Sequence, residues 1–230
     1  MVRTFKVLSA LLSYPTSDLQ KAAGEMRSAL RGEAIVSPAV LADLERLIGE
    51  IGEGDLFDLE ERYVVLFDRT RSLSLHLFEH VHGESRDRGQ AMIDLKDLYE
   101  RNGLAIDATE LPDFLPLFLE FLSTRPIAEA RDLLDQTAHI AIALHARLVK
   151  RESSYAAIFA ALTDLAVADP ARTTIDDFPD EPEFDPDDLA ALDAAWEDTP
   201  VTFGPEAASN CKDDLVARIR AAKRPAARPA

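Results

Sequence analysis

Residues 114–122 read Phe-Leu-Pro-Leu-Phe-Leu-Glu-Phe-Leu, a stretch that is apolar nearly all round when wound at 3.6 residues per turn. Such a helix is central to its fold or faces an apolar ligand. Pro112 is read as its start. Downstream, Pro126 opens what reads as the longest helix, to about Arg151, with Ile127, Ala130, Leu134, Ala138, Ala141, Leu144 and Leu148 along one side. Ser153 or Ser154 is the expected cap of a last helix ending near Val167. Upstream, Asp87 to Asn102 fits a helix stopped by Asn102-Gly103, a pair suited to a left-handed terminal residue.

The N-terminal half follows the same pattern. Residues 2–14 read as a helix stopped by Pro15, and Ser17 with Gln20 as a capping box for a helix through about Leu30. Ser37-Pro38 is an N-cap and N1 pair. It opens a helix whose Val40, Leu41, Leu44, Leu47, Ile48 and Ile51 fall at three and four spacing before Gly52 and Gly54. Asp55 is placed to cap the next, with Leu59, Tyr63 and Leu66 as its stripe. Residues 73–77 alternate with period two, but they also fit helical spacing to Val81 and have no evident strand partner, so they are read as helix. The expected fold is therefore all-α, a single helical bundle over residues 1–168.

Composition limits the function. The chain has 230 residues, 42 acidic and 25 Lys or Arg, a net charge of −17 and 47% apolar residues. That is a globular composition whose acidity opposes binding to nucleic acid or to an anionic membrane. Residues 1–168 hold 27 acids and 18 bases, net −9. Residues 169–198 hold 12 acids and one base, and 199–230 hold 3 acids and 6 bases. Eight of the 13 prolines follow residue 168, so 169–230 reads as a low-complexity appendix, acidic and then mildly basic. Its Trp196 and Phe203 are of little use to a purely solvating tail, which suggests docking on the body. No run approaches the roughly 20 apolar residues of a membrane span. Residues 1–15 carry Arg3 and Lys6 before a short apolar run broken by Ser9 and Ser13, with no small-residue cleavage site, and read as a helix rather than a signal. A single cysteine, Cys211, excludes an intramolecular disulfide and suggests the reducing cytoplasm.

Three of the five histidines fall in residues 74–89. His76, Glu79 and His80 spell H-x-x-E-H, which on one helix would set two imidazoles a turn apart with a carboxylate as base, the basis of an alternative reading as a zinc hydrolase. The competing reading is that these histidines satisfy a buried polar patch. Gly83 to Gly89 is a charged turn without Walker spacing, with Ser85 or Asp87 able to cap the next helix. His139 and His145 are turned about 240° apart on a helix and share no metal from it. Neither a catalytic triad nor a dinucleotide fingerprint is found.

SLHLFEHVHGESRDRGQAM (74–92) resembles the hallmark segment of the NarJ family of nitrate reductase assembly chaperones, within the wider TorD/DmsD-type group. YVVLFDRTRS (63–72) and ELPDFLPLFLEFLS (110–123) continue the likeness, with weaker support from LLSYP (11–15) and WEDTPVTFG (196–204). The resemblance implies an all-helical, cytoplasmic chaperone that is not an enzyme and carries no cofactor or metal. Its implied partner is the N-terminal segment of the apo catalytic subunit, held while molybdenum cofactor and iron-sulfur cluster are inserted. Cofactor-delivery proteins are a further candidate partner. It places Leu77 and Phe78 beside the peptide groove and Asp113 in the segment facing it. Phe114 stands where relatives are expected to have histidine, favouring an apolar wall. With the apolar neighbours, the candidate peptide-binding residues are Leu73, Leu77, Phe78, Glu79, His80, Asp113, Phe114, Leu117 and Phe118. Their groove is expected between residues 76–82 and the 112–122 helix, which would accept an amphipathic helix through its apolar face. Carboxylates at the rim would meet basic leader residues.

Overall fold

Stripes of leucine, isoleucine and phenylalanine drive the packing, and in the computed structural model, which describes residues 1–81, 86–106 and 110–166, they meet in one core. The described helices are α1 (Arg3–Leu11), α2 (Ser17–Lys21), α3 (Ala23–Glu33), α4 (Pro38–Glu53), α5 (Leu56–Tyr63), α6 (Leu77–Val81), α7 (Arg86–Arg101), α8 (Leu115–Ser123), α9 (Ile127–Asp135), α10 (Ala138–Lys150) and α11 (Ala156–Leu165). A π-helical turn, Val64–Asp68, prolongs α5, and a 3-10 turn covers Arg71–Leu73. The expected all-α bundle is what forms. Among the described residues there is no strand beyond one isolated bridge, and no helix is long and apolar enough to cross a membrane.

At the centre, α8 buries Leu115, Pro116, Phe118, Leu119, Phe121 and Leu122, as its all-round apolar sequence demands. It lies against α1, whose Phe5, Leu8 and Leu11 are fully buried, and Ser9 Oγ donates to the Pro116 carbonyl at 2.6 Å. The N-terminus of α1 has no local cap. Instead Glu33, at the end of α3, accepts from the amides of Arg3 (2.6 Å) and Thr4 (2.7 Å) and from the Thr4 hydroxyl (2.8 Å). Partial burial opposes ionisation of this carboxyl, but the donors prevail and hold it below the usual range. From α3 the packing continues through α4 to α11 and α10.

Several boundaries depart from the sequence reading. The helix expected to run from 17 to 30 is two helices meeting at Ala22, and the cap is Thr16, whose hydroxyl accepts from Leu19 N–H. Gln20 is drawn away from capping because its amide donates to the carbonyls of Ile51 and Gly54 at the end of α4. Asp55 caps α5 as expected, accepting from Phe57 and Asp58 N–H. Asn102-Gly103 ends α7, with Gly103 at φ +79°. The long helix from Pro126 breaks at Gln136–Thr137. Thr137 is buried, its amide and hydroxyl both bond the Leu134 carbonyl at 2.9 Å, and its own carbonyl starts α10. Neither Ser153 nor Ser154 caps α11 through its side chain; Tyr155 holds the N-cap place and the Ser154 hydroxyl bonds Glu50.

The largest departure concerns residues 73–77, read as helix. Ser74 to His76 are not helical, the chain bends at Leu75, His76 forms an antiparallel bridge with Phe114, and α6 begins only at Leu77. Leu77 N–H donates to the Asp113 carbonyl at 3.0 Å and Leu115 N–H to the Leu75 carbonyl at 2.8 Å. The period-two pattern has its partner after all, some forty positions away. For the same reason α8 starts at Leu115 rather than Pro112, because residues 113–115 are committed to this pairing. Residues 82–85, which include Ser85 of the proposed cap, and 167–230, which include Trp196, Phe203 and Cys211, lie outside the described residues, as does the proposed boundary at 168.

Candidate functional site

The bridge brings the two segments of the proposed groove into contact, and Asp113 is the joint between them. Its side chain is fully buried. Oδ2 accepts from the Phe78 amide at 3.0 Å, in the first turn of α6, and Oδ1 lies 3.2 Å from His76 Nδ1. The carboxylate thus accepts from an amide in the first turn of α6, one of the donors that a helix start leaves without an intrahelical partner. His80 Nε2 lies 2.8 Å from the Ser74 carbonyl, which only accepts, so that nitrogen carries the proton. Above the joint, the Tyr99 hydroxyl donates to the Pro112 carbonyl at 2.8 Å, and Arg147 of α10 donates to the Ser72 carbonyl at 2.6 Å. Nothing in the local pattern of the sequence marked these three: Tyr99 and Arg147 donate to backbone carbonyls distant in the chain, and Ser74 offers its own carbonyl to His80.

The candidate peptide-binding residues fall into two groups. Leu73, Leu77, Phe78, Asp113 and Phe118 are buried, with at most 2% exposure. Glu79, His80, Phe114 and Leu117 are partly exposed, and Leu111 beside them is 46% exposed. The Phe114 ring packs on His76 at 5.5 Å between centroids. Glu79 pairs with Arg88 at 3.4 Å, and Glu120 with Lys6 at 3.3 Å.

The zinc-hydrolase alternative fails on this geometry. His76 precedes α6 instead of lying on it, its Nδ1 faces Asp113, and His80 Nε2 is spent on a carbonyl. Among the described residues no cluster of three or more His, Cys, Asp or Glu is placed to hold a metal ion.

The two histidines titrate in opposite directions. The hydrogen bond to Asp113 raises His76 against the effect of burial, aided by the charges of Asp113, Glu79 and Glu110. Burial lowers His80 despite its bond to Ser74, with Arg147 adding to the shift and Glu79 and Asp113 opposing it. A histidine raised on folding contributes stability that is complete below the unfolded value near 6.5 and lost as pH rises through the folded value. A histidine lowered on folding contributes above about 6.5 and loses that contribution as pH falls. Urea unfolding is therefore expected to show His76→Gln costing more at about pH 6 than at about pH 8. A pH-independent cost would remove the Asp113 bond as its source.

Comparison with known proteins decides the family. Residues 18–161 match the family described as nitrate reductase delta subunit. The chain belongs to the nitrate reductase delta subunit family. Within that family it is 41% identical to the nitrate reductase molybdenum cofactor assembly chaperone NarJ of Escherichia coli K12, over 86% of this chain and 83% of that protein. It is 38% identical to the probable assembly chaperone NarW of the same organism, over 91% of this chain and 87% of the relative. To the probable NarJ of Bacillus subtilis it is 31% identical, over 71% and 90%. The family match spans all nine candidate residues, the buried ones and the partly exposed ones such as Phe114 and Leu117.

Proposed function

We propose that this delta subunit family member is an assembly chaperone for nitrate reductase, and that it acts by binding an N-terminal segment of the apo catalytic subunit. Binding, not catalysis, is the activity. The bound segment is held away from the membrane while the molybdenum cofactor and iron-sulfur cluster are inserted, in the cytoplasm. The observation that carries the reading is the junction at Asp113. It sets the 73–81 and 110–118 segments, both within stretches that carry the family likeness, against each other with Phe114 and Leu117 partly exposed. A helical client would lay its apolar face on Phe114, Leu117 and Leu111. Glu79 and Glu110 at the rim would steer a basic client, more in rate than in affinity.

Calorimetry with a peptide of the catalytic subunit's N-terminus tests this. Apolar burial predicts a negative heat-capacity change. Phe114→Ala combined with Leu117→Ala is expected to weaken binding at least about tenfold, a loss of about 1.4 kcal/mol that removal of some 60 Å² of apolar contact already supplies. Unchanged affinity in a double variant whose circular dichroism is intact would refute the location.

A further inference from the structure

A second face of the molecule carries exposed apolar residues and unpaired acids, and a segment of the same chain matches it. Phe57, Glu61 and Val65 follow one another at four-residue spacing along α5 and its π-helical extension, and all three are exposed, Phe57 to 78% and Val65 to 42%. Tyr14, 46% exposed, stands edge-on against Tyr63 of the same helix at 5.5 Å. Residues 53–68 hold six acids and one base (6 − 1, net −5), and that base, Arg62, is paired with Glu50 at 3.1 Å. Among the described residues no cation lies within 4.0 Å of Glu53, Asp58, Glu60, Glu61 or Asp68. A surface hollow lined by Glu53, Asp55, Asp58 and Leu59 adjoins this face. Glu79 and Glu120 near the peptide site differ in this respect, being already paired.

We infer that residues 213–228 of this chain dock on the α5 face, with Leu215, Val216, Ile219 and Ala222 against Phe57, Val65 and Tyr14. Residues 213–228 contain five bases and two acids (5 − 2, net +3), both acids at the start, and are opposite in sign to the −5 of the face. Asp213 and Asp214 precede the apolar positions, which fall at three and four spacing, and Arg218, Arg220, Lys223 and Arg224 flank them. This is the pattern of a helix with an apolar side and a cationic border. The connection is long enough. From residue 167 to 212 there are 46 residues (212 − 166), and a flexible chain of that length would reach about 40 Å, against a radius of gyration of ~15 Å for a body of this size. The occupant thus screens an apolar, anionic face that is otherwise open to any cationic amphipathic protein. The inference is independent of the Phe114 and Leu117 site.

Cys211, the only cysteine, stands two residues before the docking segment and accepts a nitroxide label without mutation of the chain. In the isotope-enriched full chain, the amide signals of Phe57, Glu61 and Val65 are expected to lose most of their intensity through paramagnetic broadening. They recover when salt is raised from about 0.15 to 1 M, which shortens the screening length from about 8 to 3 Å. They also recover in the chain carrying Arg218→Glu, Arg220→Glu, Lys223→Glu and Arg224→Glu together. Broadening confined to residues 169–198 or to Phe114–Leu117, or no localised broadening, would overturn the inference. So would broadening that appears only between a labelled chain and a separate enriched chain, which would assign the contact to a second copy.

Discussion

Asp113→Ala is expected to cost about 3 kcal/mol of stability and to lower the melting temperature by about 6–12 °C in a scanning calorimeter. The substitution removes a fully buried carboxylate, and with it the acceptor that lies 3.0 Å from the Phe78 amide in the first turn of α6. It also strips His76 of the partner that raises its pKa. Asp113→Asn keeps one carbonyl acceptor but not the charge, so its cost falls between that of Asp113→Ala and that of His76→Ala. Equal costs for Asp113→Ala and His76→Ala would mean that the Phe78 amide contributes nothing. Because α6 carries Glu79 and His80, Asp113→Ala should also weaken peptide binding, acting through position and not through contact.

The second large effect separates packing from recognition on a single helix. Phe118 is fully buried in α8, and Phe118→Ala is expected to cost about 4 kcal/mol, the sum of lost transfer energy and the cavity left behind. Its neighbour Leu117 is only partly buried, so Leu117→Ala should cost under about 1.5 kcal/mol in urea unfolding yet carry part of the loss in peptide affinity. If the two substitutions proved equally destabilising, Leu117 would belong to the core and the proposed rim would lose a member.

These pairs show why the candidate site was only half legible in the sequence. Nine residues were selected by family likeness and apolar pattern, which do not distinguish a side chain that lines a groove from one that supports it. Leu73, Leu77, Phe78 and Phe118 are as apolar as Phe114 and Leu117, yet they lie beneath the surface because the 3-10 turn, α6 and α8 turn those positions inward. Asp113 was noticed as part of a motif. Its work, closing a helix start thirty-five positions away, required the pairing of segments that sequence periodicity treats separately.

The helices themselves were legible where local chemistry and burial agreed. Pro38 opens α4, Asp55 caps α5, Gly103 ends α7, and the apolar run of α8 went to the centre. Legibility failed where a distant group competed for a local one. Gln20 left its capping box for the end of α4, and the Ser154 hydroxyl bonds Glu50. Thr137 broke a helix whose apolar phase continues almost without interruption across the break, because its hydroxyl and amide both turn back to Leu134.

The sequence by itself therefore determined the class of the fold, the order of most helices and the family, since these follow from spacing, caps and extended likeness along the chain. Only the tertiary structure decided that His76 bridges Phe114 instead of lying on a helix, that His76 and His80 are engaged by Asp113 and Ser74 rather than by a metal, and which apolar residues reach the surface. The reason is that a hydrogen-bonding group takes whichever partner the folded chain brings within about 3 Å, and sequence proximity is only one way of supplying it.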